Sequence, residues 1–140
     1  SDDLKGAALA GVLKNIYALA LGIADGLGWG GNMKSSLVVR VLEEMATINK
    51  ILGGKRKTIL GAAGYGDFIA TSFSQYSRNR ESGEDFVKTG KCCLKSEGIV
   101  SLPSLISLLG GKIDKLPLLS VLYSVIIERK NLKKTFQSLI

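Results

Sequence analysis

The chain has 140 residues, 46% of them hydrophobic, and a formal net charge of +7. This length suits one domain with a real core, and the hydrophobic share excludes intrinsic disorder. Its two cysteines are the neighbours Cys92 and Cys93 and it has no histidine, which excludes disulfide frameworks, Cys/His zinc sites and histidine-based triads, so no metal site is expected.

The first predicted element is a long helix in "LKGAALAGVLKNIYALALGIADGLG". It is apolar on all faces between Gly6 and Ala24, with Lys14 and Asn15 as exceptions, which is typical of a core helix or a membrane span. In a bilayer Lys14 would lie near mid-depth at a cost of about 2.5–3.5 kcal/mol. The sequence therefore predicts the central helix of a soluble bundle and no membrane span.

The glycines that follow, in "GLGWGG", match the dinucleotide fingerprint G-x-G-x-x-G at Gly26, Gly28 and Gly31. That fingerprint binds pyrophosphate only where a strand precedes it and a βαβ unit surrounds it. Here a helix precedes it, so the segment is predicted to be a helix–helix connection. The chain is expected to contain no dinucleotide-binding domain of its own.

The next helix is predicted over residues 34–52, because apolar residues recur there at three- and four-residue steps before Gly53 and Gly54. Thr58 is expected to cap a short helix after it. The helical pattern resumes at Asp67 and continues to the polar cluster Ser77–Arg80.

The second half is also predicted to be helical, from its capping and helix-starting residues. The predicted features are a cap pattern at Ser82 and Asp85, a helix near Gly98–Leu109 begun or kinked by Pro103, a helix from Pro117 to about Glu128, and a cap at Asn131 before the last helix. The sequence thus predicts one compact all-α domain of seven or eight helices spanning residues 1–140.

The positive charge favours nucleic acid or a phosphorylated small molecule as a partner. It gathers in two separate clusters, Lys50 with Lys55, Arg56 and Lys57, and Arg129 with Lys130, Lys133 and Lys134. Two separated clusters are more typical of solvated helix ends than of a continuous groove. Nucleic acid is therefore not the expected partner.

Lys14 is the strongest single indication of chemistry in the sequence. A lysine within an apolar helix either extends its ammonium to solvent or meets partners in a cavity. Burial favours the neutral amine, which lets a lysine give and take protons near neutral pH. Spacing alone leaves both interpretations open.

A second candidate site lies at Ser77, Arg78 and Asn79. A guanidinium fork with neutral hydroxyl and amide donors suits a phosphate group, although a polar turn has the same composition. Asp67 could cap a helix, pair with Lys14 or accept a hydrogen bond from a substrate hydroxyl.

In combination, these segments resemble the C-terminal substrate domain of NAD(P)-dependent glycerol-3-phosphate dehydrogenases. The matching motifs run in order over nearly the whole chain: "D-x-x-G-x-x-L-x-G-x-L-K-N" at Asp3–Asn15, "GIADGLGWGGN", "EEM", "GYGDFIATS", "SRNR", "EG" at Glu97–Gly98 and the Pro117 helix. The related β-hydroxyacid dehydrogenases space their lysine and asparagine about a helical turn apart, whereas Lys14 and Asn15 are adjacent here.

The resemblance implies that Lys14 is a catalytic lysine that exchanges a proton with the substrate oxygen, with Asp67 beside it as a second catalytic and substrate-binding residue. Hydride would pass between NAD or NADP and the central carbon of dihydroxyacetone phosphate or glycerol 3-phosphate. The remaining implied roles are substrate binding for Ser77, Arg78 and Asn79, cofactor binding for Arg78 and Glu97, and support for Asn15 and Thr71.

Several positions depart from the pattern of that family. Ala8 stands where an acid or amide is usual, Ala10 where glycine is usual, and Ser72 where cysteine is usual. Lys95 and Ser96 replace two common valines, which weakens the transfer of the cofactor contact to the glutamate that follows. Lys95 could also alter the preference between NAD and NADP.

The resemblance further implies an N-terminal Rossmann domain outside this chain, so the isolated domain is expected to be inactive. A cytoplasmic location is expected from the sparse cysteines and the acidic start "SDDLKG", and a homodimer is considered. Two alternatives remain: the helical domain of another two-domain hydroxyacid-type dehydrogenase, and a basic helical module that binds nucleic acid or acidic lipid.

Overall fold

The computed structural model describes residues 2–91 and 96–139, and within those ranges it is all-α, with eight α-helices and no strand. The helices are α1 (Leu4–Gly26), α2 (Gly31–Ile51), α3 (Arg56–Ile59), α4 (Asp67–Ser72), α5 (Arg78–Thr89), α6 (Glu97–Leu109), α7 (Pro117–Ile126) and α8 (Leu132–Gln137). A π-helical turn, Ala62–Gly66, precedes α4, and a 3₁₀ segment, Gly110–Lys115, follows α6. Cys92, Cys93 and Lys95, with its predicted influence on the cofactor, lie outside the described residues.

The centre of the domain is α1, which packs against α2, α4, α5 and α6. Every residue from Ile16 to Ala24 is buried, which accounts for the lack of a polar face in this half of the helix. Its length and apolarity would also suit a membrane span, but 61% of its most apolar window is buried inside the fold. The packing is that of a core helix.

Two glycines allow α1 and α5 to pack closely against each other. A Cβ atom on Gly22 would overlap the backbone carbonyl oxygen of Arg80, and one on Gly83 would overlap that of Leu19. Neither position tolerates a side chain without moving a helix. The start of α5 is therefore held against α1 by main-chain contact.

A buried carboxylate joins three helices on another side of α1. Glu44 of α2 accepts hydrogen bonds from the Tyr17 hydroxyl (2.8 Å) and from the first free N–H groups of α7, those of Leu118 (2.6 Å) and Leu119 (2.9 Å). Burial raises the pKa of Glu44, although these hydrogen bonds oppose the shift, and burial beside Glu44 raises the pKa of Tyr17 well above its usual range. Glu44 thus supplies the hydrogen-bond acceptor for the free N–H groups at the start of α7, although it lies far away in the sequence.

Asp3 connects the start of α1 to α3. Its carboxylate caps α1 by accepting from the Gly6 N–H (3.0 Å), and it also accepts from the Lys55 N–H (2.8 Å) and the Thr58 hydroxyl. Hydrogen bonds from Thr58 and Lys55 hold the pKa of Asp3 below its usual range. The predicted capping role of Thr58 is wrong, because Thr58 lies inside α3 and its hydroxyl is bound to Asp3.

The second predicted cap that fails is Ser82, which is buried in the interior of α5. The helix instead begins at Arg78, after Ser77, whose side chain accepts from the Arg80 N–H. The polar cluster Ser77–Arg80 is thus a helix start rather than a turn between helices. Packing of Gly83 against α1 requires α5 to extend through this segment.

The helix predicted from Asp67 to the Ser77–Arg80 cluster is shorter than expected, because α4 ends at Ser72. The remaining boundaries follow the predicted signals closely. Pro117 opens α7 and the Asn131 side chain caps α8, as predicted. The predicted helix near Gly98–Leu109 is α6, with Pro103 in its middle, while α2 begins at Gly31, three residues before its predicted start. Residues 27–30 connect α1 to α2, which confirms the predicted helix–helix connection, and a helix rather than a strand precedes the glycine pattern.

Candidate functional site

Lys14 and Asp67 form an ion pair, with 3.5 Å between the lysine Nζ and a carboxylate oxygen. The lysine side chain is 25% exposed and that of Asp67 is 56% exposed, so the pair lies at the surface of a concave region rather than in the core. Asp67 is the first residue of α4, directly after the π-helical turn. Such turns are frequent at functional sites, and here the turn brings the carboxylate to α1.

Next to this pair, a cleft of about 220 Å³ lies between the start of α5 and the start of α6. A second depression contains Asp67 and shares two residues with the cleft, so the ion pair and the cleft border one continuous surface. The cleft is lined by Thr71, Ser77, Arg78, Asn79, Ser96 and Glu97, and the shared residues are Thr71 and Ser77.

Two helix N-termini face this cleft, and each is capped by a serine. The Ser77 hydroxyl oxygen accepts from the Arg80 N–H (3.2 Å), and the Ser96 hydroxyl oxygen accepts from the Ile99 N–H (3.5 Å). Helix N-termini carry partial positive charge. Together with the exposed guanidinium of Arg78, they favour an anion in the cleft.

Asparagines hold α6 against α1 and α5. Asn15 donates through its side-chain nitrogen to a carboxylate oxygen of Glu97 (2.9 Å), and Asn79 accepts from the Gly98 N–H (2.8 Å). Asn15, the residue after Lys14, is therefore hydrogen-bonded to Glu97, which lines the cleft. Every residue that the sequence singled out as a site residue lies in this one region.

Arg80 differs from Arg78 in having its donors engaged within the protein. Its guanidinium contacts Asp25 (3.2 Å) and Glu84 (2.8 Å) and donates to the Ser74 carbonyl (3.3 Å). Burial opposes its charge, but the hydrogen bonds to Glu84 and Asp25 prevail and raise the pKa of Arg80. Arg80 therefore anchors α5, while the guanidinium of Arg78 has no hydrogen-bond partner within residues 2–91 and 96–139.

Ser72 is one of the positions that depart from the family pattern. It is 1% exposed, and its hydroxyl oxygen has no hydrogen-bond partner in the described part of the chain. An unpaired buried hydroxyl costs free energy, and a thiol, which behaves as a small apolar group, would cost less at this position. The geometry is therefore consistent with the cysteine that is usual there.

Of the residues that line the cleft, Ser96 is the one that sequence reasoning did not identify as a site residue. It was noted only because it replaces a common valine, whereas the structure makes it the cap of α6. The available signal was a serine directly before an acidic residue and an apolar run, which is a common helix start.

A family model described as "NAD-dependent glycerol-3-phosphate dehydrogenase C-terminus" matches residues 3–137. A glycerol-3-phosphate dehydrogenase [NAD(P)+] from Clostridium botulinum is 38% identical over 99% of this chain and 44% of its own length. One from Geobacillus thermodenitrificans is 40% identical over 98% of this chain and 42% of its own length. The chain thus spans less than half of these curated relatives.

A solved structure shows the same arrangement of helices. The crystal structure of glycerol-3-phosphate dehydrogenase from Coxiella burnetii superposes with a TM-score of 0.89 at 30% sequence identity. The superposition covers 99% of this chain and 45% of that one. The all-α fold predicted from the sequence is therefore confirmed both by the helices and by this likeness.

Proposed function

Since this chain belongs to the family of C-terminal domains of NAD-dependent glycerol-3-phosphate dehydrogenases, we propose that it is the substrate-binding half of such an enzyme. The full protein would interconvert dihydroxyacetone phosphate and sn-glycerol 3-phosphate. The observation that supports this most is the ion pair of Lys14 and Asp67 beside a cleft that carries Arg78 and two helix N-termini.

Lys14 is the proposed general acid and base. In reduction, its ammonium donates a proton to the substrate carbonyl oxygen as the carbonyl carbon receives hydride, and in oxidation the neutral amine takes the hydroxyl proton. Asp67 keeps the ammonium oriented through the ion pair, and its exposed carboxylate can also accept from a substrate hydroxyl. Asn15 and Thr71 support the site, Asn15 by holding Glu97.

The phosphate of the substrate is assigned to Ser77, Arg78 and Asn79. The guanidinium of Arg78 supplies paired donors, and Ser77 and Asn79 supply neutral hydrogen bonds. Burial of Ser77 and Asn79 gives these donors fixed positions, while Arg78 is exposed and can close over the substrate.

NAD or NADP is the proposed cofactor, and its nicotinamide supplies or accepts the hydride. The described residues contain no strand, so its main binding site is assigned to an N-terminal dinucleotide-binding domain of the longer protein. Arg78 and Glu97 fit as contacts from the helical side, because both are exposed at helix starts on the rim of the cleft. The isolated domain is expected to be inactive.

The proposal also places the enzyme in the cytoplasm, without nucleic acid as a partner and with self-association into a homodimer as a prediction. Lys55 and Lys130, from the two basic clusters, each contact a carboxylate, those of Asp2 (3.1 Å) and Glu128 (3.6 Å). Salt-sensitive binding to duplex DNA at physiological ionic strength would contradict this part of the proposal.

The decisive test compares substrates on the full-length protein. We expect oxidation of the reduced cofactor with dihydroxyacetone phosphate, and at least about a hundredfold lower kcat/KM with unphosphorylated dihydroxyacetone, because the anion contacts are lost. Equal rates with the two compounds, or faster turnover of a 2-oxo or 3-hydroxy acid, would instead support another dehydrogenase of the same architecture.

A further inference from the structure

Three polar side chains of the cleft share one feature: their oxygen atoms already accept hydrogen bonds from backbone N–H groups. This holds for Ser77 with Arg80, for Ser96 with Ile99 and for Asn79 with Gly98. The hydrogens of the two hydroxyls and of the amide nitrogen have no acceptor among the described residues. These groups are left as donors toward the cleft.

The orientation of the Asn79 amide follows from its partner. The two ends of an asparagine amide have nearly the same shape, so the hydrogen-bond partner decides which end points where. The Gly98 N–H is a donor and lies 2.8 Å from the amide oxygen, so the amide nitrogen faces away from it. Asn79 is only 6% exposed and lines the cleft, which leaves its NH₂ group directed at a ligand there.

Only glycine allows this contact at position 98. A Cβ atom there would overlap the Asn15 carbonyl oxygen and would lie 3.1 Å from the Asn79 amide oxygen. Any larger residue must therefore move the first turn of α6 away from α1 and α5, and the N–H would move with it.

We propose that Gly98 is a positioning residue whose N–H fixes the Asn79 amide, so that Asn79 presents its NH₂ group, and not its oxygen, to an anion bound in the cleft. The identity of the anion as the substrate phosphate rests on the proposed function, but the orientation of the amide does not. The Glu97 carboxylate also lines the cleft, and one of its oxygens accepts from Asn15.

A donor that is fixed at this position favours a ligand group that accepts. A fully ionised phosphate monoester or a sulfate can accept from the Asn79 NH₂ group through any of its terminal oxygens. Gly98 therefore favours anion binding at this contact, through Asn79.

The first test substitutes Gly98→Ala in the full-length enzyme. We expect KM for dihydroxyacetone phosphate to rise about tenfold with kcat within about twofold, because a donor to a charged group is lost while Lys14 and Asp67 stay in place. The matched control is Gly111→Ala, where a Cβ atom meets nothing within 4 Å, and both constants should stay near wild type. An unchanged KM in Gly98→Ala overturns the proposal.

A double substitution distinguishes positioning from general loosening of the fold. Because Gly98 acts through Asn79, adding Gly98→Ala to Asn79→Ala should raise KM no further than Asn79→Ala alone. Independent effects, with the two increases in KM multiplying, would overturn the proposed connection.

A further variant keeps the test decisive if Gly98→Ala does not fold. Asn79→Asp retains an oxygen for the Gly98 N–H but loses the NH₂ group, so its melting temperature should stay close to wild type while sulfate affinity, measured by calorimetry, falls at least about tenfold. Asn79→Ala should lose both. Wild-type sulfate affinity in Asn79→Asp overturns the proposal. A wild-type protein that binds sulfate yet does not reduce dihydroxyacetone phosphate would refute the proposed function while supporting this one.

Discussion

Two carboxylates contact α1 one helical turn apart, Glu44 at Tyr17 and Asp67 at Lys14, and their surroundings differ in almost every respect. Glu44 is 7% exposed and accepts three hydrogen bonds, one from Tyr17 and two from the N-terminus of α7. The Asp67 side chain is 56% exposed and contacts a single ammonium at 3.5 Å.

The difference shows how one helix contacts both a structural cluster and the candidate site. The Glu44 carboxylate is buried and bound to donors inside the fold, so it is not presented to a ligand. The Lys14–Asp67 pair keeps ammonium hydrogens and carboxylate lone pairs available, which is the requirement for binding and protonating a substrate. Loss of the first cluster should affect folding, and loss of the second should affect turnover.

The largest expected effect is that of Lys14→Ala on turnover. In the full-length enzyme kcat should fall by about 10²–10⁴, the usual contribution of a general acid or base, while circular dichroism and melting temperature stay near wild type. Lys130→Ala is the matched control, because that lysine also contacts a carboxylate but is 61% exposed and far from the cleft in the sequence. Near-normal kcat in Lys14→Ala would refute its catalytic role.

Glu44→Ala should produce the opposite result. We expect a loss of about 3 kcal/mol in the free energy of unfolding, because the Tyr17 hydroxyl and two N–H groups of α7 lose their buried acceptor. Urea denaturation measures this, with the exposed neighbour Glu43→Ala as control, expected within about 0.5 kcal/mol of wild type. A stable Glu44→Ala protein with reduced kcat would reverse the distinction drawn between the two clusters.

Arg78→Ala should chiefly weaken binding. KM for dihydroxyacetone phosphate should rise about tenfold to a hundredfold through loss of a charged donor to phosphate, with a smaller change in stability, because Arg78 is exposed. Steady-state kinetics check this against Arg56→Ala, another exposed arginine at a helix start. Unchanged apparent affinities for substrate and cofactor would count against the anion site.

The smallest expected effect is on the pH dependence of stability. The pKa of Glu44 is raised above its ordinary value of 4.5 in the folded state, so the folded state binds this proton more tightly than the unfolded state. The contribution of this proton to the free energy of unfolding is fully present below pH 4.5 and is lost as pH rises through the raised pKa of Glu44. Urea denaturation measures this as the free energy of unfolding of wild type minus that of Glu44→Gln. The difference should fall as pH rises from 4.5 through the raised pKa, and a rise would contradict the upward shift assigned to Glu44.

Local signals in the sequence were sufficient for most of the fold. The apolar run in α1, Pro117 at the start of α7 and Asn131 before α8 each act through neighbours in the chain, and each prediction is confirmed. Ser82 and Thr58 look like caps by the same local rule, but distant contacts decide their roles: α5 packs on α1 over Ser82, and Asp3 binds the Thr58 hydroxyl.

The candidate site could be assembled from the sequence only through resemblance. Lys14 and Asp67 are far apart in the chain, and no periodicity indicates that they form an ion pair. The Glu44 cluster was missed for the same reason, since a glutamate on an amphipathic helix looks like any exposed acid until α7 is placed beside it. The chemical roles of the site residues stay predictions until the variants above are measured.

The contact of Gly22 and Gly83 has a consequence for the distance between the two parts of the candidate site. Because α1 and α5 meet through their backbones, the separation of the main chain at positions 14 and 78 does not depend on side-chain volumes at the crossing of the two helices. Substitutions among the surrounding core residues would leave that separation unchanged, and altering it would require a shift of a whole helix.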